Sequence, residues 1–324
     1  MDRRTFVRGA TVSVLGATIS ATGQTRRIPL IGFLRTDRPP QSYVEAFEHG
    51  LQERGYTPGK TILIEYRFGD GTTAETIRLA QEIVNLKVDV IVAGGGRATK
   101  AAQSVTTTIP IVMTSASDPV GTGLVASLAQ PGGNTTGTSI VSWELFGKRL
   151  ELLRQILPNV TRVAVLINRL NPAPVNGWKD ASATAATLGI ALQRVDVQGP
   201  TEFEDAFAIM SRQRSEALIV VQSTIFETAP YRVQQLATQY KIPAMYGLRT
   251  STDAGGLISY GPNVPTLYAY SAVLVDKILK GAKPASLPVE QPTKFELVIN
   301  MGTAKALGLA IPPSLLLRAD AIIE

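Results

Sequence analysis

Small polar residues follow a short apolar run and are the first candidates for binding chemistry. The apolar run is Ile109 to Met113, and Thr114, Ser115, Ser117 and Asp118 come directly after it. Because α/β proteins bind ligands at the carboxyl ends of parallel strands, we expect this stretch to border a ligand. Asp118 could bind a ligand amino group, or it could cap the turn that begins at the next residue. The sequence leaves both interpretations open.

A glycine-rich loop is the second candidate. Gly94-Gly95-Gly96-Arg97 follows an apolar run and precedes a helical pattern. Backbone N–H groups at the positive end of a helix dipole attract anions, so this loop and Arg97 could hold a carboxylate. The alternative is a tight turn with Arg97 in solvent. Dinucleotide binding is disfavoured, because Thr99 replaces the third glycine and the loop follows the third predicted strand of its lobe.

The residues that most enzymes use are scarce in this chain. It has no cysteine and one histidine, His49, in 324 residues. Disulfides, cysteine nucleophiles and thiolate metal sites are therefore excluded. The Gly-x-Ser-x-Gly, His-Glu-x-x-His and Walker patterns are also absent. We expect neither a metal site nor a cofactor, and the composition argues against an enzyme.

The elements that position these loops are strands alternating with helices. Apolar runs alternate with helical patterns from Arg27 to Tyr246, which predicts βαβ units and parallel sheets. Leu124 to Leu128 begins a further short helical pattern. The order repeats after residue 140, and Asp89-Val90-Ile91-Val92 has a counterpart in Ala217-Leu218-Ile219-Val220. We therefore predict two Rossmann-like α/β lobes, and not one large sheet.

The predicted lobe boundaries follow from this repeat and from the less regular tail. We assign residues 27–139 and 252–288 to the first lobe, and residues 140–251 and 289–324 to the second. A tail that crosses to the first lobe and returns gives three connections between the lobes, which together form a hinge.

The loops after the strands are expected to face each other across a cleft. They cover residues 35–37, 94–99 and 115–118 in the first lobe, and 168–171, 222–226 and 246–249 in the second. Trp143 and Tyr246 could stack on a ligand or pack in the core, and Asn168 and Asn171 could bind it or build a turn. The candidate ligand-binding residues are Thr36, Gly96, Arg97, Ser115, Asp118, Ser139, Trp143, Asn168, Asn171, Ser223, Tyr246 and Tyr260.

The amino terminus is predicted to be a signal peptide over residues 1–26. Arg3-Arg4-Thr5-Phe6-Val7 is a twin-arginine pattern, and a mildly apolar run of small residues follows it. A disordered basic tail is the alternative. Residues 1–27 contain five arginines against one aspartate, which is most of the formal net charge of +6. The nearly neutral remainder predicts no nucleic-acid surface.

Several longer motifs resemble one protein family. The most specific are Asp118-Pro119-Val120, Pro131-Gly132-Gly133-Asn134, the stretch Gly255 to Gly261, the stretch Val275 to Gly281, and Pro292 to Asn300. Across the whole mature chain, they resemble the periplasmic substrate-binding proteins of ABC importers, in the tryptophan/tyrosine-transport-like group.

The resemblance implies the type I periplasmic-binding fold, with two lobes that close on a ligand at a hinge. Where members of the family often carry a small hydroxyl residue and a proline, this chain has Gly96 and Arg97. The added arginine favours an acidic ligand.

Three functions are weighed on this basis. The first is a monomeric periplasmic protein that captures a small carboxylate-bearing solute, an amino acid or aromatic acid, for an ABC permease in the inner membrane. The second is a sensor that passes ligand occupancy to a membrane receptor. The third is an NAD(P)-dependent or hydrolytic enzyme.

Overall fold

The computed structural model describes residues 27–171, 174–228 and 230–324. The predicted signal peptide lies outside these residues. Within them, no helix combines the length and the apolar character needed to cross a membrane.

The first part of the chain alternates strands and helices as predicted. Its elements are β1 (Leu30–Arg35), α1 (Gln41–Gln52), β2 (Leu63–Phe68), α2 (Thr73–Asn85), β3 (Val90–Gly94), α3 (Gly95–Val105), β4 (Ile111–Ser117) and β5 (Thr135–Ile140). They form a five-stranded parallel sheet in the order β2-β1-β3-β4-β5. Every residue of β3 is buried, as expected for a central strand that is covered on both faces.

The second part repeats this plan and adds a tail. Its elements are α4 (Phe146–Ile156), β6 (Arg162–Asn168), α5 (Pro174–Thr187), β7 (Ala191–Val197), α6 (Phe203–Arg212), β8 (Ala217–Val220), α7 (Thr224–Thr228), α8 (Pro230–Gln239), β9 (Ala244–Tyr246), α9 (Arg249–Asp253), β10 (Ile258–Pro262), α10 (Val264–Leu279), β11 (Phe295–Asn300), α11 (Met301–Ala306), α12 (Pro313–Leu316) and β12 (Ala321–Ile323). The sheet order is β12-β11-β10-β9-β8-β6-β7. Five of these strands are parallel, whereas β11 runs antiparallel to β10 and β12 follows the direction of β11. The second sheet is therefore mixed at one edge, which the sequence did not predict.

Helices cover both faces of each sheet, so the structure has two lobes with separate cores. In the first lobe, Phe33 and Phe47 pack with Tyr268 of α10 on one face, and Ile83 and Ile91 pack on the other. In the second lobe, one core surrounds Leu150 and Val165, and the other surrounds Phe207 and Leu218. Parallel strands that are buried on both faces need this double cover.

The chain passes between the lobes three times, as predicted, but the boundaries differ from those assigned. Residues 252–262 were placed in the first lobe. Strand β10 instead pairs with β9 and β11 in the second sheet, so the crossing comes at Asn263. Ile140 still belongs to β5, and Glu290 pairs with Thr138 beside β5 before the chain returns. Strand pairing between distant residues decided these boundaries, and local sequence patterns carry no signal for it.

One predicted helix is wrong. Residues 124–128 form an irregular loop in place of a helix. Gly123 has a φ of 70°, and the carbonyl of Pro131 accepts a hydrogen bond from Ala126 N at 2.8 Å. These contacts close a loop and leave Leu124 and Val125 buried against Met113. The apolar spacing correctly predicted that Leu124 and Val125 are buried, but the loop buries them without helical hydrogen bonds.

Candidate functional site

The carboxyl edges of the two sheets meet at one cavity between the lobes. In each sheet the strand order reverses next to the first strand of the lobe, between β1 and β3 in one and between β6 and β8 in the other. Open α/β sheets bind ligands at such reversals. The cavity has a volume of about 40 Å³ and is lined by Gly94, Gly95, Gly96, Arg97, Ser115, Ser117, Ile140, Asn171, Gln222, Ser223, Thr224 and Glu227.

The wall from the first lobe offers hydrogen-bond donors and positive charge. Helix α3 begins at Gly95, with a φ of 83°, and no side chain caps its amino terminus. Arg97 is anchored by a 2.7 Å hydrogen bond from Nη2 to the carbonyl of Gly71. Its Nη1 is buried and finds no partner among the described residues, and burial lowers the pKa of Arg97. This wall is therefore suited to an anionic group.

The backbone of the same wall is strained at one point. Ser115 has a φ of 50° at a bulge in β4, and its N–H donates to Thr138 Oγ1 at 3.0 Å. A residue other than glycine in this region costs free energy, and such residues are concentrated at binding sites. The bulge places Ser115 in the wall of the cavity.

A buried charge cluster joins the two lobes beside the cavity. Arg35 of β1 is fully buried and donates to Tyr268 Oη at 2.7 Å, to Asp37 at 2.9 Å and to Glu227 of α7 at 3.2 Å. Two carboxylates share one guanidinium, so the ionised cluster carries a net charge of −1. Burial raises the pKa of Glu227; Arg35 opposes this shift and Asp37 adds to it.

The wall from the second lobe offers acceptors. Gln222 is 8% exposed and donates from Nε2 to the carbonyl of Gly247 at 2.8 Å. Its Oε1 is buried without a partner among the described residues. With the Glu227 carboxylate, this oxygen gives the second wall an acceptor character opposite to that of the first wall.

The lobes touch across the cleft in this structure. The Arg35–Glu227 pair spans it, and Thr36 Oγ1 lies 3.1 Å from Thr224 Oγ1. These contacts leave a cavity with room for only a few water molecules. The arrangement is a closed one.

Seven of the twelve predicted residues lie at or directly beside the cavity. Gly96, Arg97, Ser115, Asn171 and Ser223 line it. Thr36 makes the contact across the cleft that is described above. Asn168 supports the wall, since its Nδ2 donates to Ser223 Oγ at 2.8 Å and its Oδ1 accepts from Leu170 N at 3.0 Å. Their contact with a ligand stays a prediction.

Asp118 and Ser139 lie outside the lining. The Asp118 carboxylate accepts from Gly121 N at 2.9 Å, which is the turn cap given above as the alternative role. Asp118 has a φ of 41°, a conformation that aspartate adopts in such turns. Ser139 is buried in β5 and donates its N–H to the carbonyl of Glu290 at 2.8 Å, beside the third connection.

The three aromatic candidates pack in the second lobe and do not line the cavity. Trp143 stacks on Phe146 with ring centroids 5.4 Å apart. Tyr246 is 1% exposed within a core, and Tyr260 packs against the core around Leu150. The positions of Trp143 and Tyr246 match the alternative role given above, which is packing in the core.

The sequence-based selection missed the charge cluster and Gln222. Arg35, Asp37 and Gln222 fall in the predicted strand-end loops, so position alone could have included them. Glu227 and Tyr268 lie on helices α7 and α10, and no local pattern marks them. Within the described part of the chain, no group of three or more His, Cys, Asp or Glu residues is arranged to hold a metal ion.

Comparison with known families identifies this architecture. The family model of ABC transporter substrate binding proteins matches residues 38–323. The chain belongs to this family. This substrate-binding protein is 27% identical over 276 residues to a tyrosine-binding protein of Clostridioides difficile strain R20291, which covers 84% of the chain and 77% of the relative. The family consists of solute-binding proteins and not of enzymes, so the enzyme hypothesis is rejected.

Solved structures confirm the type I periplasmic-binding fold. A conserved domain protein of Vibrio cholerae is 28% identical, with a TM-score of 0.87 over 91% of this substrate-binding protein and 100% of the other chain. A Streptococcus pneumoniae protein in complex with L-Trp is 25% identical, with a TM-score of 0.86 over 91% of this protein and 99% of the other chain. A ligand-free, open protein of Clostridium difficile is also 25% identical, and the match covers 91% of this protein and 99% of the other chain. Its TM-score is only 0.66. The closed arrangement described here is thus nearer to the L-Trp complex.

Proposed function

We propose that this protein is the solute-binding component of an ABC importer and that it captures a small carboxylate-bearing solute between its lobes. The observation that carries the proposal is the donor wall, where the uncapped start of α3 and the unpartnered Arg97 Nη1 line the interlobe cavity. A carboxylate there gains charge-assisted hydrogen bonds in a site with little water. The sequence left an amino acid and an aromatic acid as the two classes of ligand.

The opposite wall favours the amino acid. The cluster of Arg35, Asp37 and Glu227 has one more negative than positive charge, and Glu227 and Gln222 Oε1 border the same cavity. An ammonium group would neutralise that charge and satisfy the free acceptor. The named ligands of the relatives, tyrosine and L-Trp, are amino acids and support this choice.

The proposed cycle is closure of the lobes on the solute, followed by delivery to the permease. Substrate-binding proteins of ABC transporters act outside the cytoplasm and work with membrane permeases. The three connections between the lobes provide the hinge. We further propose that the protein works as a monomer in the periplasm and reaches it by twin-arginine export.

Export is tested with Arg3→Lys and Arg4→Lys together, which keep the charge of the leader. Cell fractionation should then show the protein retained in the cytoplasm as an uncleaved precursor. Normal periplasmic recovery of this variant would reject the twin-arginine route.

Ligand capture is tested by thermal unfolding with a panel of amino acids and aromatic acids. A solute at 100 times its dissociation constant should add about 2.7 kcal/mol to the free energy of unfolding. The discriminating pair is L-phenylalanine and 3-phenylpropionate, which differ by the ammonium group. We expect the amino acid to bind at least about tenfold more tightly, as for a charged hydrogen bond worth about 1.5 kcal/mol. The proposal fails if no panel member stabilises the protein and mass spectrometry finds no solute in the purified protein.

A further inference from the structure

One arginine is buried at the point where the chain passes between the lobes. Arg149 of α4 is 1% exposed. Its guanidinium donates from Nε to the carbonyl of Tyr260 and from Nη1 to the carbonyl of Ser142, both at 2.8 Å, and it forms no ion pair within the described part of the chain. Burial lowers the pKa of Arg149 to about 10, and Glu144 opposes this shift, so the side chain is charged at neutral pH. A buried charge is costly unless it is paired or hydrogen-bonded, so the two carbonyls account for its position.

The two carbonyls belong to different passages of the chain between the lobes. Ser142 lies in the first connection, which covers residues 141–145 between β5 and α4. Tyr260 lies in β10, directly before the second connection at Asn263. The third connection covers residues 291–294, before β11. Arg149 therefore contacts the second-lobe ends of the first and second connections.

Backbone hydrogen bonds tie the third connection to each of the other two. On the first-lobe side, Glu290 N donates to the carbonyl of Gly137 at 3.0 Å, and the carbonyl of Glu290 accepts from Ser139 N at 2.8 Å. On the second-lobe side, the antiparallel pairing of β10 with β11 continues to Pro262 and Phe295. The third connection is thus held beside the first at one end and beside the second at the other.

The first and second connections have no such backbone pairing. Among the described residues, no backbone hydrogen bond joins residues 141–145 to residues 258–263. Arg149 supplies the missing tie, because one guanidinium reaches a carbonyl of each segment. The N–H donors of a guanidinium are fixed in one plane, so they hold the two carbonyls at a fixed spacing.

We propose that Arg149 is a positioning residue for closure of the lobes, which clamps the first two connections together and confines the hinge to Val141, Asn263 and residues 291–294. The inference rests on the lobe movement of the proposed function. Hinges concentrate the dihedral changes in a few residues. Without this clamp, residues 142–145 would move as well, and the ligand-free protein would populate the closed arrangement less. The apparent affinity would then fall with the closed fraction, by the same factor for every solute.

The test measures the distance between the lobes and needs no ligand. Because the chain has no cysteine, Gln81→Cys on α2 and Asp205→Cys on α6 introduce one exposed labelling site on each lobe. Electron paramagnetic resonance of nitroxide labels at these two sites gives the distribution of distances between them. Arg149→Met keeps an unbranched side chain and removes the donors. We expect it to broaden the distribution of the ligand-free protein and to add longer distances.

Arg149→Lys separates the guanidinium geometry from the charge, and it also serves if Arg149→Met does not fold. An ammonium group keeps the charge, but it is a compact donor that cannot reproduce the two hydrogen bonds of a planar fork. The distance distribution should again be broader than in the wild-type protein. Calorimetric titration should show that each folded variant loses the same factor of affinity for every solute of the panel that the wild-type protein binds.

The matched control is Met210→Ala. Met210 is buried in the second-lobe core around Phe207, and its truncation leaves a cavity there. This variant should lower the unfolding temperature, as the Arg149 variants do, and leave the distance distribution unchanged. A broader distribution in Met210→Ala would show that any loss of stability in the second lobe loosens the hinge, and it would overturn the specific role of Arg149.

The remaining outcomes separate the clamp from the proposed function. An unchanged distance distribution in a folded Arg149 variant would overturn the clamp and leave the proposed function standing. Affinity losses that differ among solutes would do the same, because the clamp contacts none of them. If neither variant folds, Arg149 serves the stability of the lobe and the clamp is rejected. A wild-type protein that binds no solute would reject the proposed function, while the distances in the ligand-free protein would still decide the clamp.

Discussion

The charged residues of the cleft are divided by sign between its two walls. Arg97 and the start of α3 lie on the first lobe, and Glu227 with Gln222 Oε1 lies on the second. Arg35 is buried between the two walls and already donates hydrogen bonds to Asp37, Glu227 and Tyr268. On the proposed function, a zwitterion would find a complementary group on each lobe, and its binding would draw the lobes together.

Arg97 is expected to bind the ligand carboxylate directly. Arg97→Gln should weaken binding of the L-amino acids that the wild-type protein takes up by about 10- to 100-fold, since a hydrogen bond to a charged group is worth about 1.5–3 kcal/mol. Calorimetric titration measures this loss. Arg78→Gln is the control, because Arg78 is exposed on α2 and pairs with Glu75 away from the cavity. Unchanged affinity in Arg97→Gln would place the carboxylate elsewhere.

Asn168 is expected to act as a positioning residue for Ser223. Its amide donates to Ser223 Oγ at 2.8 Å, and Ser223 lines the cavity. Asn168→Ala should lower the affinity by about five- to tenfold, as for the loss of about 1 kcal/mol. In a double-mutant cycle with Ser223→Ala, the two losses should be less than additive, because both remove the same hydrogen bond. Strict additivity would show that Asn168 acts through something other than Ser223.

At the scale of elements, the site is the product of a repeated plan. The orders β2-β1-β3-β4-β5 and β7-β6-β8-β9-β10 are the same topology, with equivalent reversals. The repeat extends to the helix ends: Gly55 and Gly189 have φ values of 83° and 68° before their strands. Glycine adopts this conformation without a steric cost, so each helix can stop and turn into the next strand.

The close approach of β10 to the end of β9 depends on one glycine. Gly261 packs so tightly that a Cβ atom there would overlap the carbonyl oxygen of Gly247, which is backbone and cannot rotate away. Gly261→Ala should lower the free energy of unfolding by about 2–3 kcal/mol. Denaturant unfolding followed by circular dichroism measures this. Gly199→Ala is the control, since a Cβ atom at Gly199 meets nothing within 4 Å, and its stability should stay within about 0.5 kcal/mol.

Elements with strong periodicity could be predicted from the sequence, and those set by distant contacts could not. The alternation of strands and helices over residues 27–246 is the predicted one, because each apolar run and each helical pattern there repeats with a regular period. The 124–128 segment was predicted as a helix because its apolar spacing fits one, but turn contacts determine its structure. Helix α12 begins at the second of two consecutive prolines, and both α12 and strand β12 are too short to produce a periodic signal.

The same division applies to the candidate site. Gly96, Arg97, Ser115, Asn171 and Ser223 could be predicted because they follow strands in a parallel sheet. Tyr268 reaches Arg35 only because α10 returns to the first lobe, 233 residues further along the chain. Contacts between residues so far apart in the chain cannot be predicted from the spacing of residues along the sequence. Tyr246, a large aromatic residue near the loops, lies in a core, and core packing uses the same residue types as ligand stacking.

At the scale of the whole molecule, closure brings a carboxylate into a buried place. In the closed form, Glu227 has a 13% exposed side chain and shares Arg35 with Asp37. If the lobes separate as proposed, Glu227 returns to water while Asp37 keeps Arg35. Closure of the ligand-free protein therefore carries a desolvation cost that a bound ammonium group would offset.

This cost makes closure of the ligand-free protein depend on pH. Burial raises the pKa of Glu227, so the closed form holds a proton on this carboxyl more tightly than an open form does. Closure is then favoured below the ordinary pKa of a glutamate, and this advantage is lost as the pH rises through the raised value. Acidification from neutral pH to the ordinary glutamate pKa of about 4.3 should shift the ligand-free protein towards the compact form. Small-angle X-ray scattering would show this as a smaller radius of gyration.

Glu227→Gln separates this effect from general acid compaction. The neutral amide has nothing to titrate, so the radius of gyration should stay constant over the same pH range and match the acid value of the wild-type protein. Glu204→Gln is the control, since Glu204 pairs with Arg232 on the same lobe but is exposed, and it should follow the wild-type curve. Expansion of the wild-type protein on acidification would mean that the Arg35–Glu227 ion pair outweighs the burial of Glu227. An unchanged pH response in Glu227→Gln would show that another group controls closure.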